Sequence, residues 1–212
     1  GGIKVTNSKN ITDNTATGSV GALVSGGSTY TATGNFSRTT AGAAVGYYVD
    51  NGTADNKGTI NLTGAGASAA GMVAEGSASS TATVKNSSTI IAANSVGMVA
   101  LSGTGTSIGI NSGTINVATG TGVFVKGTNA QFNGTGGTIN LTGTGTGIVL
   151  DNTGAGKITN AGTITLAANS VGVYGDNAKI DFPVTINGTS GTGIYAENGS
   201  VVSGTVNAGN SK

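Results

Sequence analysis

A glycine returns at a nearly fixed interval along this chain. Gly21, Gly46, Gly71, Gly97, Gly122, Gly147, Gly172 and Gly193 are separated by 25, 25, 26, 25, 25, 25 and 21 residues. Each opens a short apolar run: GALV, GYYV, GMVA, GMVA, GVFV, GIVL, GVYG and GIYA. A period of this length is the signature of a stacked repeat, in which one position reappears once per coil in a straight column. The period therefore fixes the shape of the chain before it says anything about chemistry.

A second run is interleaved with the glycines. It reads GTINL (58–62), STIIA (88–92), GTINV (113–117), GTINL (137–141), GTITL (162–166), VTING (184–188) and GTVNA (204–208). Alternation over such runs predicts strands with Ile and Leu or Val on one side and Thr and Asn on the other. Ile11 and Phe36 take the corresponding place in the two least regular coils. A third, looser run passes through Val84, Ile108 and Ile110, Phe132, Ile158, Ile180 and Phe182, and Val201 and Val202. Gly, Asn and Thr supply the turns between runs.

No segment has helical periodicity. The expected fold is all-β: a parallel β-helix of about eight coils of ~25 residues, with three short strands per coil. Right-handedness follows by analogy with the crossover rule for parallel strands. Residues 1–212 read as a single solenoid segment, with less regular coils over 1–57 and regular ones over 58–210. The chain opens GGIKV, with neither an initiator Met nor a signal peptide, and it contains no C-terminal barrel. It is therefore expected to be a segment of a longer chain.

Composition narrows the function. Forty of 212 residues are Gly, but the apolar 36% recurs on schedule, so a core can form. Charged residues are 8% and the formal net charge is +1, which gives no footprint for nucleic acid or an anionic membrane. There is no His and no Cys. That removes Ser–His and Cys–His nucleophilic catalysis and the usual thiolate and imidazole metal ligands. Carboxylates fall about one per coil, and Arg38 is the only arginine, so the convergent acids of a polysaccharide lyase or hydrolase are not expected. No catalysis, cofactor or metal is expected.

Alternation counted from the glycine as position zero places +1 and +3 inward and +2 and +4 outward. The +2 column reads Leu23, Tyr48, Val73, Val99, Phe124, Val149, Tyr174 and Tyr195. An outward column of apolar and aromatic residues is unusual, because a half-buried strand ordinarily turns polar groups to water. The +4 column reads Ser25, Asp50, Glu75, Leu101, Lys126, Asp151, Asp176 and Glu197, which includes five of the eight carboxylates in the chain. Tyr48, Phe124, Tyr174 and Tyr195, with Asp50, Glu75, Asp151, Asp176 and Glu197, are thus the candidate binding strip. Two readings stand side by side, and between them a third, in which another part of the parent chain covers the strip. The strip is a device of strand propensity and solubility, or it is an interaction surface.

On the other outward face, Thr59 and Asn61, Thr114 and Asn116, Thr138 and Asn140, Thr185 and Asn187, and Thr205 and Asn207 form a ladder. Its asparagines are expected to hydrogen-bond along the column. The recurring glycine itself has two explanations. It is an outward position left vacant beside the aromatic strip, or the backbone there tolerates no side chain.

The stretches NSVGMVALSGTGTSIGINSGTINVATGTGVFVKG (94–127) and GTGIVLDNTGAGKITNAGTITLAANSVGVYGDN (145–177) resemble passenger domains of type V autotransporters. The resemblance is to the very large fusobacterial outer-membrane adhesins, the RadD-like family. It covers 58–210 well and 1–57 more loosely, and the short final glycine step departs from it. It implies an extracellular cell-surface adhesin anchored through a barrel elsewhere in its chain. Its partners would be a host-cell or bacterial surface protein or glycan and the rest of its own passenger. The alternatives are a secreted toxin-like passenger whose β-helix is an oligomerisation or delivery scaffold, and a polysaccharide-acting β-helix enzyme. No family binding residue maps onto these positions.

Overall fold

The computed structural model describes residues 2–15, 17–154, 158–188, 190–203 and 206–208. Every strand pairing among them is parallel, and the strands fall into three sheets that run the length of a β-solenoid of about eight turns. Sheet 1 holds the third-run strands, from Lys4–Asn7 to Ile158–Asn160. Sheet 2 holds the Thr-Ile-Asn strands, from Ile11–Asp13 to Val206–Ala208. Sheet 3 holds the glycine strands, from Ser19–Val24 to Thr192–Glu197. Val201–Val202 pairs separately, along the tail of Val171–Ile180.

The register follows the repeat. Ile60, Ile90, Ile115, Ile139, Ile164 and Ile186 pair in unbroken succession along sheet 2, and all are fully buried. Across the core, Met72, Met98, Val123, Ile148 and Val173 form the matching column of sheet 3. Neighbouring coils lie about 4.8 Å apart, so no coil could bury these side chains alone. Short polar residues close the turns. Asn61 and Asn133 each accept a hydrogen bond from the amide two residues on, at 3.0 Å, and Asn160 does so at 2.6 Å. Such Asx turns are why Asn punctuates the sequence.

The repeating glycine does not face outward, which corrects the first of its two explanations. In every sheet 3 pairing the ladder skips it: Val96 pairs with Thr121 and Met98 with Val123, with Gly97 and Gly122 between. A Cβ on Gly97 would stand 2.6 Å from the Gly122 carbonyl oxygen and 2.7 Å from Ile115 Cγ2. The same crowding meets Gly71 against Ile90, Gly122 against Ile139 and Gly147 against Ile164. Each glycine is thus a hole into which the isoleucine of sheet 2 projects. Two successive residues turn inward there, so the residue before the glycine faces out.

The first coils belong to the same three sheets but are filled differently. Phe36 stacks between Ile11 and Ile60 in register. Tyr47 meets Tyr30 edge-on at 5.3 Å and Phe36 at 6.3 Å. The sole arginine, Arg38, is buried and bonds Asp13, whose carboxylate also accepts from Ser19 Oγ and from the Thr15 amide and hydroxyl. Burial would raise the Asp13 carboxyl, but these hydrogen bonds outweigh it and hold the group well below the usual carboxylate range. Removing one partner of such a pair costs about 3–5 kcal/mol.

The Asn ladder also lies elsewhere than expected. On sheet 2 the described link is Asn140 to Asn116, at 3.1 Å; Thr205 lies outside the described residues. The longer ladder is buried in sheet 1. Asn56 donates to Asn86 at 2.9 Å, and Asn86 donates to Asn111 at 2.8 Å. It begins where Asn56 pairs with Ala32, and Asn56 Oδ1 is left without a donor. Ile108 and Ile110 alternate with the buried Ser107, Gly109 and Asn111, and so face outward.

Candidate functional site: the outer face of sheet 3

Tyr48, Val73, Val99, Phe124, Val149, Tyr174 and Tyr195 are in direct register on successive strands, so the +2 column exists as one line. It is not uniformly exposed. Val73 and Val99 are only 7% and 8% accessible, because Ala70 packs with them and Val45, Val96, Tyr48, Leu101 and Phe124 lean over them. Val45, Ala70 and Val96 belong to the column before the glycine, which simple alternation across the glycine assigns to the interior. The signal was present in the sequence: Val or Ala precedes the glycine in five of the eight coils.

Beyond Tyr48 the column ends on the exposed Leu23, and between Tyr48 and Tyr195 the strip has a self-covered apolar middle and two polar-aromatic ends. At one end, Tyr48 Oη donates to Glu75 Oε2 at 2.7 Å, and Asp50 accepts from the Ser77 amide at 3.3 Å. Tyr48, Asp50, Glu75, Ser77 and Thr104 line a cavity of about 230 Å³. Burial, then the Glu75 hydrogen bond and the Glu75 and Asp50 charges, push the Tyr48 phenol up to about 12.

At the other end, Tyr174 and Tyr195 stack at 5.7 Å with planes 6° apart. Both hydroxyls donate to Glu197, that of Tyr195 at 3.3 Å. Asn198 donates to Asp176 at 2.7 Å. The Glu197 hydrogen bond, with burial and the nearby charges, pushes the Tyr174 phenol up to about 12.

Of the nine strip residues, Asp151 departs from an acidic-edge role, because Lys126 Nζ binds it at 2.6 Å. Glu75 and Tyr195 are exposed, and Tyr48, Asp50, Phe124, Tyr174, Asp176 and Glu197 are half-buried. The face offers apolar contact in the middle, with phenol–carboxylate pairs at both ends that can accept or exchange hydrogen bonds with a ligand. Among the described residues, no three acidic, His or Cys side chains are grouped so as to hold a metal ion. Nor, among the described residues, is any helix long and apolar enough to cross a membrane.

The architecture defines a parallel β-solenoid built from a sequence repeat. No protein-family model, curated protein or solved structure matches the chain.

Proposed function

We propose that this chain is a non-catalytic segment of a bacterial cell-surface adhesin of the autotransporter type. In this reading the solenoid is the stalk, and the outer face of sheet 3 meets a protein or glycan on another cell. The observation that carries the reading is the strip itself. The inward columns supply the main core, yet four aromatic residues and four carboxylates without a cationic partner among the described residues gather on one outward face. The resemblance of 58–210 to fusobacterial adhesin passengers points the same way.

The test is made on the cells that produce the protein. Antibodies against the chain should stain intact cells without permeabilisation, and deleting its gene should reduce attachment to the partner cell. If the chain is instead found only in the medium and attachment is unchanged, the adhesin reading fails and the secreted, toxin-like passenger takes its place.

A further inference from the structure

The charged side chains sort by face. The outer face of sheet 3 carries Asp50, Glu75, Asp151, Asp176 and Glu197 against the single Lys126, an excess of four negative charges. The sheet 1 side carries Lys4 and Lys85 on its strands, Lys9 and Lys57 in the turns that leave it, and Lys179 in the third run of a later coil. Against these five lysines stand Asp55 and Asp181, an excess of three positive charges. The outer face of sheet 2 has no charged side chain among the described residues, since Asp13 and Arg38 are buried. Lys157 and Lys212 lie outside the described residues. The near-neutral total of +1 thus conceals a three-faced prism with one acidic, one basic and one uncharged face.

The opposed faces also match in height. Asp50 shares a coil with Lys57, Glu75 with Lys85, and Asp176 with Lys179. Lys57 and Lys179 already bond Asp55 and Asp181 of their own chain, at 3.7 and 2.7 Å, so Lys85 is the one of the three without an ion pair among the described residues. Between the charged levels, Val99 and Leu101 of sheet 3 share a coil with the outward Ile108 and Ile110 of sheet 1. Two copies lying parallel, sheet 3 against sheet 1, therefore bring acid to lysine at these three levels and apolar to apolar between them; the coils of Asp151 and Glu197 hold no such lysine among the described residues.

We propose that the acidic face of sheet 3 docks a second copy of this chain through its sheet 1 face. The contact is heterologous, so a pair leaves one acidic and one basic face free, and further copies add sideways, as an open row or, where the rotation between copies closes, a ring. Its size is modest. Eight coils of about 4.8 Å by five residues of about 3.3 Å give roughly 600 Å² on each partner. The total of about 1,200 Å² is at the lower edge of stable interfaces, so association is reversible. Because the complementary groups are exposed, association weakens as salt shortens the Debye length from about 10 Å at 0.1 M to about 3 Å at 1 M. Docking covers the sheet 3 face, so the partner of the adhesin reading would meet the strip on a copy whose sheet 3 face is undocked; the self-association test does not depend on that reading.

Sedimentation velocity of the purified chain over a concentration series, at low and high salt, is the test. Self-association is expected at low salt, with the association constant falling at least tenfold at 1 M salt. Two variants reverse one face each: Glu75→Lys with Asp176→Lys, and Lys85→Glu with Lys179→Glu. Each alone should remain monomeric where the parent associates, and mixing the two should restore association. Circular dichroism confirms that both retain the β fold.

A parent chain that is monomeric throughout overturns the proposal, as does a mixture that stays monomeric while the parent associates. Capture of polylysine by a parent that does not self-associate also overturns it, and assigns the acidic face to a cationic partner instead.

Discussion

Sheets 2 and 3 are complementary inside the solenoid and unlike outside it. Inward, sheet 2 presents a column of isoleucines and sheet 3 a column of glycines, and each isoleucine fills the space that a glycine leaves. Outward, sheet 2 displays threonine and asparagine with no charge among the described residues, whereas sheet 3 displays valine, phenylalanine, tyrosine and carboxylates. The interior is constrained by packing and has one solution per coil. The exterior is free to vary, and the two sheets use that freedom differently. The difference separates what the fold needs from what a surface can be used for.

The inward half of the comparison breaks most sharply at the glycine. Gly97→Val drives a branched side chain into the Gly122 carbonyl and Ile115. It should cost about 3 kcal/mol or more, read as a lowered denaturation midpoint. Gly103→Ala, in a turn with nothing within 4 Å of the new Cβ, should change the midpoint by less than about 0.5 kcal/mol. From the other side of the same contact, Ile115→Ala empties the buried position over Gly97 and should cost about 2–4 kcal/mol. Equal, small effects at Gly97 and Gly103 would remove the close-approach explanation of the repeat.

The outward half calls for a finer measurement. Val99 is nearly covered by its neighbours, so Val99→Ser should destabilise by about 1–1.5 kcal/mol even though it lies outside the core. Thr114→Ser, on the half-exposed column of sheet 2, should stay within about 0.5 kcal/mol. Matching effects would mean that the two outer faces contribute alike.

The smallest effect is a titration. The Tyr174 phenol is raised in the folded chain to about 12, from an ordinary value near 10. A raised folded value adds stability that is fully present below about pH 10 and lost as pH rises through about 12. Phenolate absorbance from Tyr174 should therefore appear near pH 12. Glu197→Gln should bring it down, because the Glu197 hydrogen bond is the largest cause of the shift. An unchanged titration in that variant would dissociate Tyr174 from Glu197.

The solenoid, its three runs and the inward Ile60, Ile115, Val123 and Leu150 were legible in the sequence, because a 25-residue period and strict alternation leave little choice. Alternation failed at the glycine, where the ladder skips a residue and two neighbours turn inward together. Val45 and Val96 were therefore missed as members of the outer strip. The burial of Val73 and Val99 was not legible either, since it depends on side chains one coil away rather than on neighbours in sequence. The buried Asn56–Asn86–Asn111 ladder escaped for the same reason as the strip: the sequence shows many asparagines but not which of them face the interior. Charge segregation is invisible in a net charge of +1 and emerges only when each residue is assigned a face.

The central claim is that sheet 3, and not sheet 2, presents the binding face. It is tested most directly by attachment of cells displaying one of two variants, each verified to fold. One carries Tyr48→Thr, Phe124→Thr, Tyr174→Thr and Tyr195→Thr; the other carries Thr114→Ser, Asn116→Ser and Asn140→Ser. Attachment to the natural partner cell should be lost in the first and retained in the second. Attachment retained in the first, or lost only in the second, would contradict the account.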